Sequence, residues 1–187
     1  MTYSISQNID AILSEVGQVL HSSDYSNIGV ALEEIKNTRR IVCVGAGRVG
    51  LATDAFAKRL VHLGFQSHAY SDVTLPKLET GDLMIVASGS GNTESIVALS
   101  KIAKRQGLRL LLISSNSNSL LSKVADVSFI LNCPNKETND SGINTIQPMT
   151  TLFEQSVLLF FDAIVLTLMS QLKVTEKDML GRHNAIE

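Results

Sequence analysis

A chain of 187 residues, 44% hydrophobic and 18% charged, is long enough and apolar enough for one sizeable core. A formal net charge of -2, with no basic tract and no aromatic-basic interleaving, excludes a nucleic-acid partner or a membrane surface held by charge. The two cysteines, Cys43 in an apolar run and Cys133 beside a loop, are too far apart to suggest a disulfide scaffold and suit a reducing compartment.

The start, Met1-Thr2-Tyr3-Ser4, shows no charged leader and no signal-type apolar run, so a cytoplasmic location is expected. Ile5, Ile9, Ile12, Leu13, Val16, Val19 and Leu20 recur at helical spacing and predict an amphipathic first helix. A second helix is expected over residues 25–36. Residues 40–44 read as a buried strand ending in Gly45-Ala46-Gly47, followed by a helix to about His62 that Gly64 ends. Residues 66–70 form a short second strand, and residues 82–87 a third. That strand leads into Ser88-Gly89-Ser90-Gly91-Asn92-Thr93-Glu94-Ser95, then a helix to about Gln106, stopped by Gly107. Residues 109–113 are a fourth strand, 114–119 a polar loop, 120–125 a short helix and 127–131 a fifth strand. Residues 135–142 are polar and aperiodic, which predicts a mobile loop. A long helix covers residues 149–172, and Thr175 opens the last, with Glu176 and Asp178 in its first turn. The most apolar stretch, residues 157–169, is too short to span a bilayer and is interrupted by Asp162, so no membrane partner is expected. Because that helix is apolar nearly all round, it belongs in a core or a subunit interface.

Strands alternating with helices predict an α/β protein whose five-stranded parallel sheet is covered on both faces. Ligands of such sheets sit beyond the carboxyl ends of the strands. The glycine-bearing turns after Val44 and after Ala87 therefore open on one edge and can line one pocket. One domain over 1–187 accounts for the whole: helices to residue 37, sheet and sites over 38–147, helices over 148–187.

The serine-glycine loop between a strand and a helix has the makings of an anion site. Glycines let the backbone turn its N–H groups inward, the helix start adds unpaired donors, and Ser88, Ser90 and Thr93 add hydroxyls. A flexible polar turn would have the same local composition. No G-x-x-x-x-G-K-[ST] occurs, so the expected guest is one phosphate on a small molecule, not a nucleoside triphosphate. Gly45-Ala46-Gly47-Arg48-Val49-Gly50 is a formal G-x-G-x-x-G, with Asp72 about twenty residues on, as a dinucleotide site requires. Against that reading stand the second loop, which a plain dinucleotide fold would not need, the short chain, and Arg48 in the turn. No nucleotide cofactor is expected. No His-x-x-x-His occurs, and carboxylates do not cluster with histidine at ligand spacing, so no metal is expected either. His21, His62 and His68 read as structural or solvated.

Both turns, with their spacing, resemble the SIS family of sugar-phosphate isomerases and sugar-phosphate-binding regulators. Within it they are most similar to the 6-phospho-3-hexuloisomerases. The residues that carry the likeness are Gly45 to Gly50, Thr74-Leu75-Pro76, Ser88 to Glu94, Gln147-Pro148-Met149-Thr150-Thr151-Leu152-Phe153-Glu154 and Arg182-His183-Asn184-Ala185-Ile186-Glu187. Three positions depart from the family pattern: Val49 for serine, Thr150 for glycine, and Leu75 within the Thr-Pro segment. The resemblance implies an SIS-type three-layer αβα sandwich and a homotetramer with active sites near subunit interfaces. It implies that D-arabino-3-hexulose 6-phosphate and fructose 6-phosphate interconvert through a cis-enediol, without a cofactor. Substrate contacts would fall on Gly47, Arg48, Val49, Ser88, Gly89, Ser90, Gly91, Asn92 and Thr93. Glu154 would be the catalytic base and His183 a second catalytic group, reaching in from a neighbouring subunit. From position alone, Glu154 is equally a first-turn partner of the helix dipole, and His183 a helix-end cation. An isomerase of pentose or amino-sugar phosphates, or a non-catalytic sugar-phosphate sensor, stays open on the same motifs.

Overall fold

The computed structural model describes residues 4–135, 141–184 and 186. In chain order the elements are α1 (Ile5–Ser22), α2 (Ile28–Asn37), β1 (Ile41–Val44), α3 (Gly47–Leu63), β2 (Ser67–Ala69), β3 (Leu83–Ala87), α4 (Glu94–Arg105), β4 (Arg109–Ser114), β5 (Val127–Ile130), α5 (Thr151–Leu172) and α6 (Glu176–Leu180). The strands form one parallel sheet in the order β2-β1-β3-β4-β5.

Side chains alternate across a strand, and this sheet is apolar on both faces as a result. Ile41, Cys43, Leu83, Ile85, Leu111 and Ile113 point into a core shared with α1, α2, α3 and α5. Val42, Val44, Met84, Val86, Leu110 and Leu112 point the other way, against α4 and Leu121. The result is the three-layer αβα sandwich expected, with the thicker helical layer on one side. Phe56 of α3 stacks on Phe161 of α5, centroids 4.2 Å apart, and joins the two helices that flank the glycine turn. Burial pushes the Cys43 thiol up to about 12, so it is inert packing material.

Helix ends follow local rules at several places. Ser4 with Gln7, and Thr175 with Asp178, form reciprocal capping boxes on α1 and α6. Gly64 ends α3 in the left-handed region at φ 102°.

Four expectations need correction. Of residues 120–125, expected as a helix, 120–124 are consecutive turns. Leu120 N donates to Asn92 Oδ1 and Leu121 N to Gly91 O, so the segment's leading donors are drawn out to the serine-glycine loop, and too few residues remain before β5 to propagate a helix. The second helix begins at Ile28, after a hydrogen-bonded turn at Tyr25. The long helix begins at Thr151, because Met149 has φ 57°, which no α-helix tolerates. At 22 residues it is also long and apolar enough to cross a membrane by length and composition alone, which the shorter stretch 157–169 did not suggest. Half of its apolar window is buried, and it packs on α1 and α3 as a core helix. Of the loop expected over 135–142, residues 136–140 lie outside the described residues.

Candidate active site

Register aligns Val44 with Val86 and Ala87 with Ile113, so β1, β3 and β4 end at one level. The turns after β1 and β3 therefore emerge side by side, and the start of α5 faces them. Between them lies a cleft of about 520 Å³, a size suited to a small phosphorylated metabolite.

One wall is the serine-glycine loop. Its carbonyls are turned away from the cleft and occupied. Gly89 O accepts from Ser115 N, Ser114 Oγ and Ser115 Oγ, and Ser90 O accepts from Asn116 Nδ2. In a planar trans peptide the N–H points opposite the C=O. The Ser90 N–H, sharing its peptide with Gly89 O, therefore faces away from the β4 loop. Gly91 closes the turn at φ 64°, and a Cβ there would stand 2.2 Å from Ser119 Oγ. Ser88 Oγ and Thr93 Oγ1 lie 3.4 Å apart at the mouth of α4, whose first-turn N–H groups have no partner within the helix.

The other wall joins the start of α3 to the start of α5. Gly45 and Gly50 lie in close contact, with a Cβ on Gly45 standing 2.9 Å from Gly50 N, so these glycines seat α3 against the end of β1. Asp72, the supposed ribose ligand of a dinucleotide reading, is spent on its own loop, accepting from Thr74 N and Thr74 Oγ1. Arg48 Nε lies 2.7 Å from Glu154 Oε2. Glu154 Oε1 accepts from Thr150 Oγ1 at 2.9 Å. The Glu154 side chain is 13% exposed and that of Arg48 66%. Phe153 supports both walls: a Cβ on Gly89 would stand 3.2 Å from its ring.

Gly47, Arg48, Val49, Ser88, Gly89, Ser90, Thr93 and Glu154 thus come together on one cleft. Gly91 and Asn92 do not line it. Asn92 Oδ1 braces Leu120 N instead. His183 is elsewhere: it stacks on His62 at the far end of α3, centroids 5.2 Å apart, while Arg182 Nη1 donates to His62 O. By helical rise, the 14 residues from Arg48 to His62 put it roughly 20 Å from the cleft of its own chain. Among the described residues no three His, Cys, Asp or Glu side chains converge as metal ligands.

Two contributors were not singled out in the sequence. Thr150 figured there only as a departure from a pattern, yet its hydroxyl holds the carboxylate. Glu15, only 8% exposed, accepts from Thr145 Oγ1, Ile146 N and Gln147 Nε2, and so anchors the segment that leads into Met149 and Thr150. Its signal was a carboxylate on the apolar face of α1, between Ile12 and Val16.

The SIS domain family matches residues 34–159. A 3-hexulose-6-phosphate isomerase of Bacillus subtilis is 36% identical over 155 residues, covering 83% of this chain and 84% of its own. Its namesake in Mycobacterium gastri is 32% identical over 183 residues, 98% of this chain and 92% of its own. The crystal structure of a Methanococcus jannaschii protein, described as inferring a 3-hexulose-6-phosphate isomerase function, superposes with a TM-score of 0.83 at 27% identity, covering 96% of this chain and 99% of that one.

Proposed function

The chain belongs to the SIS domain family, and on that premise we propose that it is a sugar-phosphate isomerase interconverting D-arabino-3-hexulose 6-phosphate and fructose 6-phosphate. The observation that carries this reading is a nearly buried carboxylate, Glu154, facing a serine-bearing anion loop across one cleft. The loop binds the phosphate through Ser88, Ser90, Thr93, backbone N–H groups and the start of α4. With one end fixed, the second and third carbons are held at the opposite wall.

Glu154 removes the C2 proton. The electrons of that bond form a C2=C3 double bond, and the C3 carbonyl oxygen becomes an enediolate oxygen. Arg48 and nearby backbone donors stabilise that charge. The hydroxyl proton on O2 moves to O3, the C2 carbonyl forms, and the proton on Glu154 returns to C3. Phosphate on C6 prevents a five-membered ring closing on C3, so the open-chain substrate needs no ring-opening step.

The exposed Leu158, Leu159 and Leu166 on the outer side of α5 support assembly with further copies of the chain, for which we propose a homotetramer. His183 lies too far from its own cleft to act there, which supports a role in a neighbour's cleft. A coupled assay for fructose 6-phosphate made from 3-hexulose 6-phosphate tests the function, with arabinose 5-phosphate and glucosamine 6-phosphate run beside it. Turnover of the hexulose well above the other two is expected. Preference for the pentose or the amino sugar would overturn the substrate, and binding without any turnover would make the protein a sensor.

A further inference from the structure

Helix starts in this chain are not all capped alike. Away from the cleft, Ser4 and Thr175 use their hydroxyls as ordinary caps, each accepting from the backbone N–H three residues on. Thr150 occupies the same position on α5 but makes no cap hydrogen bond. Its hydroxyl donates instead to Glu154 Oε1 at 2.9 Å, while Glu154 N donates to Thr150 O at 3.0 Å. The starts at Asn27, Ala46 and Thr93 also lack a side-chain cap, so what sets Thr150 apart is where its hydroxyl goes: onto a carboxylate that lines the cleft.

The two oxygens of Glu154 are held differently. Oε1 is held from within α5, by a short side chain on a fixed turn. Oε2 is shut off from solvent and, among the described residues, has an ion-pair contact with Arg48 Nε but no hydrogen-bond partner; the Arg48 side chain is two-thirds exposed. A substrate oxygen that draws the guanidinium away uncovers Oε2 and leaves Oε1 in place. Resting on the reading of Glu154 as the base, we infer that Thr150 is a positioning residue that fixes Oε1, so that Oε2 is the oxygen that takes the carbon-bound proton. Thr150 stands where the family pattern has glycine, which has no side chain to do this.

The test compares wild type with Thr150→Val and Thr150→Ser. Valine keeps the shape and suits the local φ of −111°, while serine keeps the hydroxyl. For Thr150→Val, kcat falls about 10- to 30-fold with KM within about twofold, because a loosened base is misaligned in the transition state more than in binding. The primary deuterium isotope effect on C2-deuterated hexulose phosphate rises, since proton removal becomes slower relative to other steps. Thr150→Ser recovers most of kcat and the wild-type isotope effect. An unchanged kcat in Thr150→Val, or a serine variant no better than valine at equal melting temperature, overturns the inference. If wild type turns over arabinose 5-phosphate and not the hexulose, the substrate reading falls and the same comparison is made on the pentose, deuterated at the carbon that loses its proton. A wild type inert on every sugar phosphate overturns both.

Discussion

The two walls of the cleft are built on opposite plans. The serine-glycine wall is braced by its immediate neighbours: β4 and the loop after it supply Ser114, Ser115 and Asn116, and the turns that follow supply Ser119, Leu120 and Leu121. The Gly89, Ser90 and Gly91 carbonyls are spent outward, Ser90 Oγ accepts from Asn92 N, and Ser88 Oγ pairs with Thr93 Oγ1, so hydroxyl protons and part of the N–H set are what remain for a ligand. The α5 wall hangs from a distant helix. Glu15 of α1 holds Thr145 to Gln147, and beyond them Met149, 86% exposed and at φ 57°, bends the chain into the helix start. A phosphate is the same in every phosphosugar, so the wall that grips it can be rigid and local. On the proposed reading, the wall that meets the reacting carbons has to differ with the substrate, and it rests on the distant Glu15 anchor while touching the phosphate loop through Phe153 and Gly89.

That division is broken most sharply by removing the carboxylate. Glu154→Gln keeps the shape of the side chain and removes the proposed base. We expect kcat to fall about 10²–10⁴-fold while fructose 6-phosphate still binds, as read by the coupled assay and by calorimetry. Loss of binding together with turnover would mean that the α5 wall also carries the phosphate, and the two-wall description would fail.

The phosphate side gives the reciprocal experiment. Ser88→Ala combined with Thr93→Val removes two hydroxyls that stand 3.4 Å apart and leaves Glu154 untouched. Hydrogen bonds to a charged group contribute about 1.5–3 kcal/mol each. Two such bonds correspond to a drop in kcat/KM of about 10²–10⁴-fold, mostly through KM, with the loss much smaller for a substrate lacking the phosphate. An equal proportional loss on both substrates would remove these hydroxyls from the phosphate site.

The sequence made the first wall legible and left most of the second hidden, and the reason is the range of the contacts. Ser88 to Thr93 lies between an apolar strand and an amphipathic helix, and its partners follow within about thirty residues, so motif and position carried the reading. The register that levels β1 and β3 follows from two buried runs, each ending in glycine or serine, which is why both turns were expected on one edge. The turns at residues 120–124 were misread as a helix because their leading donors go to Asn92 and Gly91, a tertiary claim that local periodicity does not record. Thr150 looked like a simple exchange for glycine. Its hydrogen bond to Glu154 comes directly after a backbone bend at Met149, and the sequence has no marker for a positive φ at a methionine. The Glu15 tether spans more than a hundred residues, so only its oddity as an acid on an apolar helix face was visible.

That tether also gives the smallest effect and a pH signature. Burial alone would push the Glu15 carboxyl up, but hydrogen bonds from Thr145, Ile146 and Gln147 outweigh it and hold the group below the ordinary carboxylate value. A carboxyl depressed in the folded state stabilises the fold above its unfolded value, and that contribution is lost as pH falls through the lower folded value. Glu15→Gln has the volume of the protonated acid and cannot ionise. At pH 7 the variant should be less stable than wild type by about 2 kcal/mol, in line with hydrogen bonds to a charged group. Urea unfolding from pH 7 downward should show that difference holding to roughly pH 4.5 and then closing, because wild-type Glu15 itself becomes neutral. The depressed carboxyl of Asp126 titrates in both proteins and cancels from the difference. Activity sharpens the comparison between walls: a slackened tether should lower kcat a few-fold through Thr150 and Glu154 and leave phosphate affinity alone. A stability difference constant down to pH 3 would mean that Glu15 acts through packing alone, and the α5 wall would then hang from something other than a charged anchor.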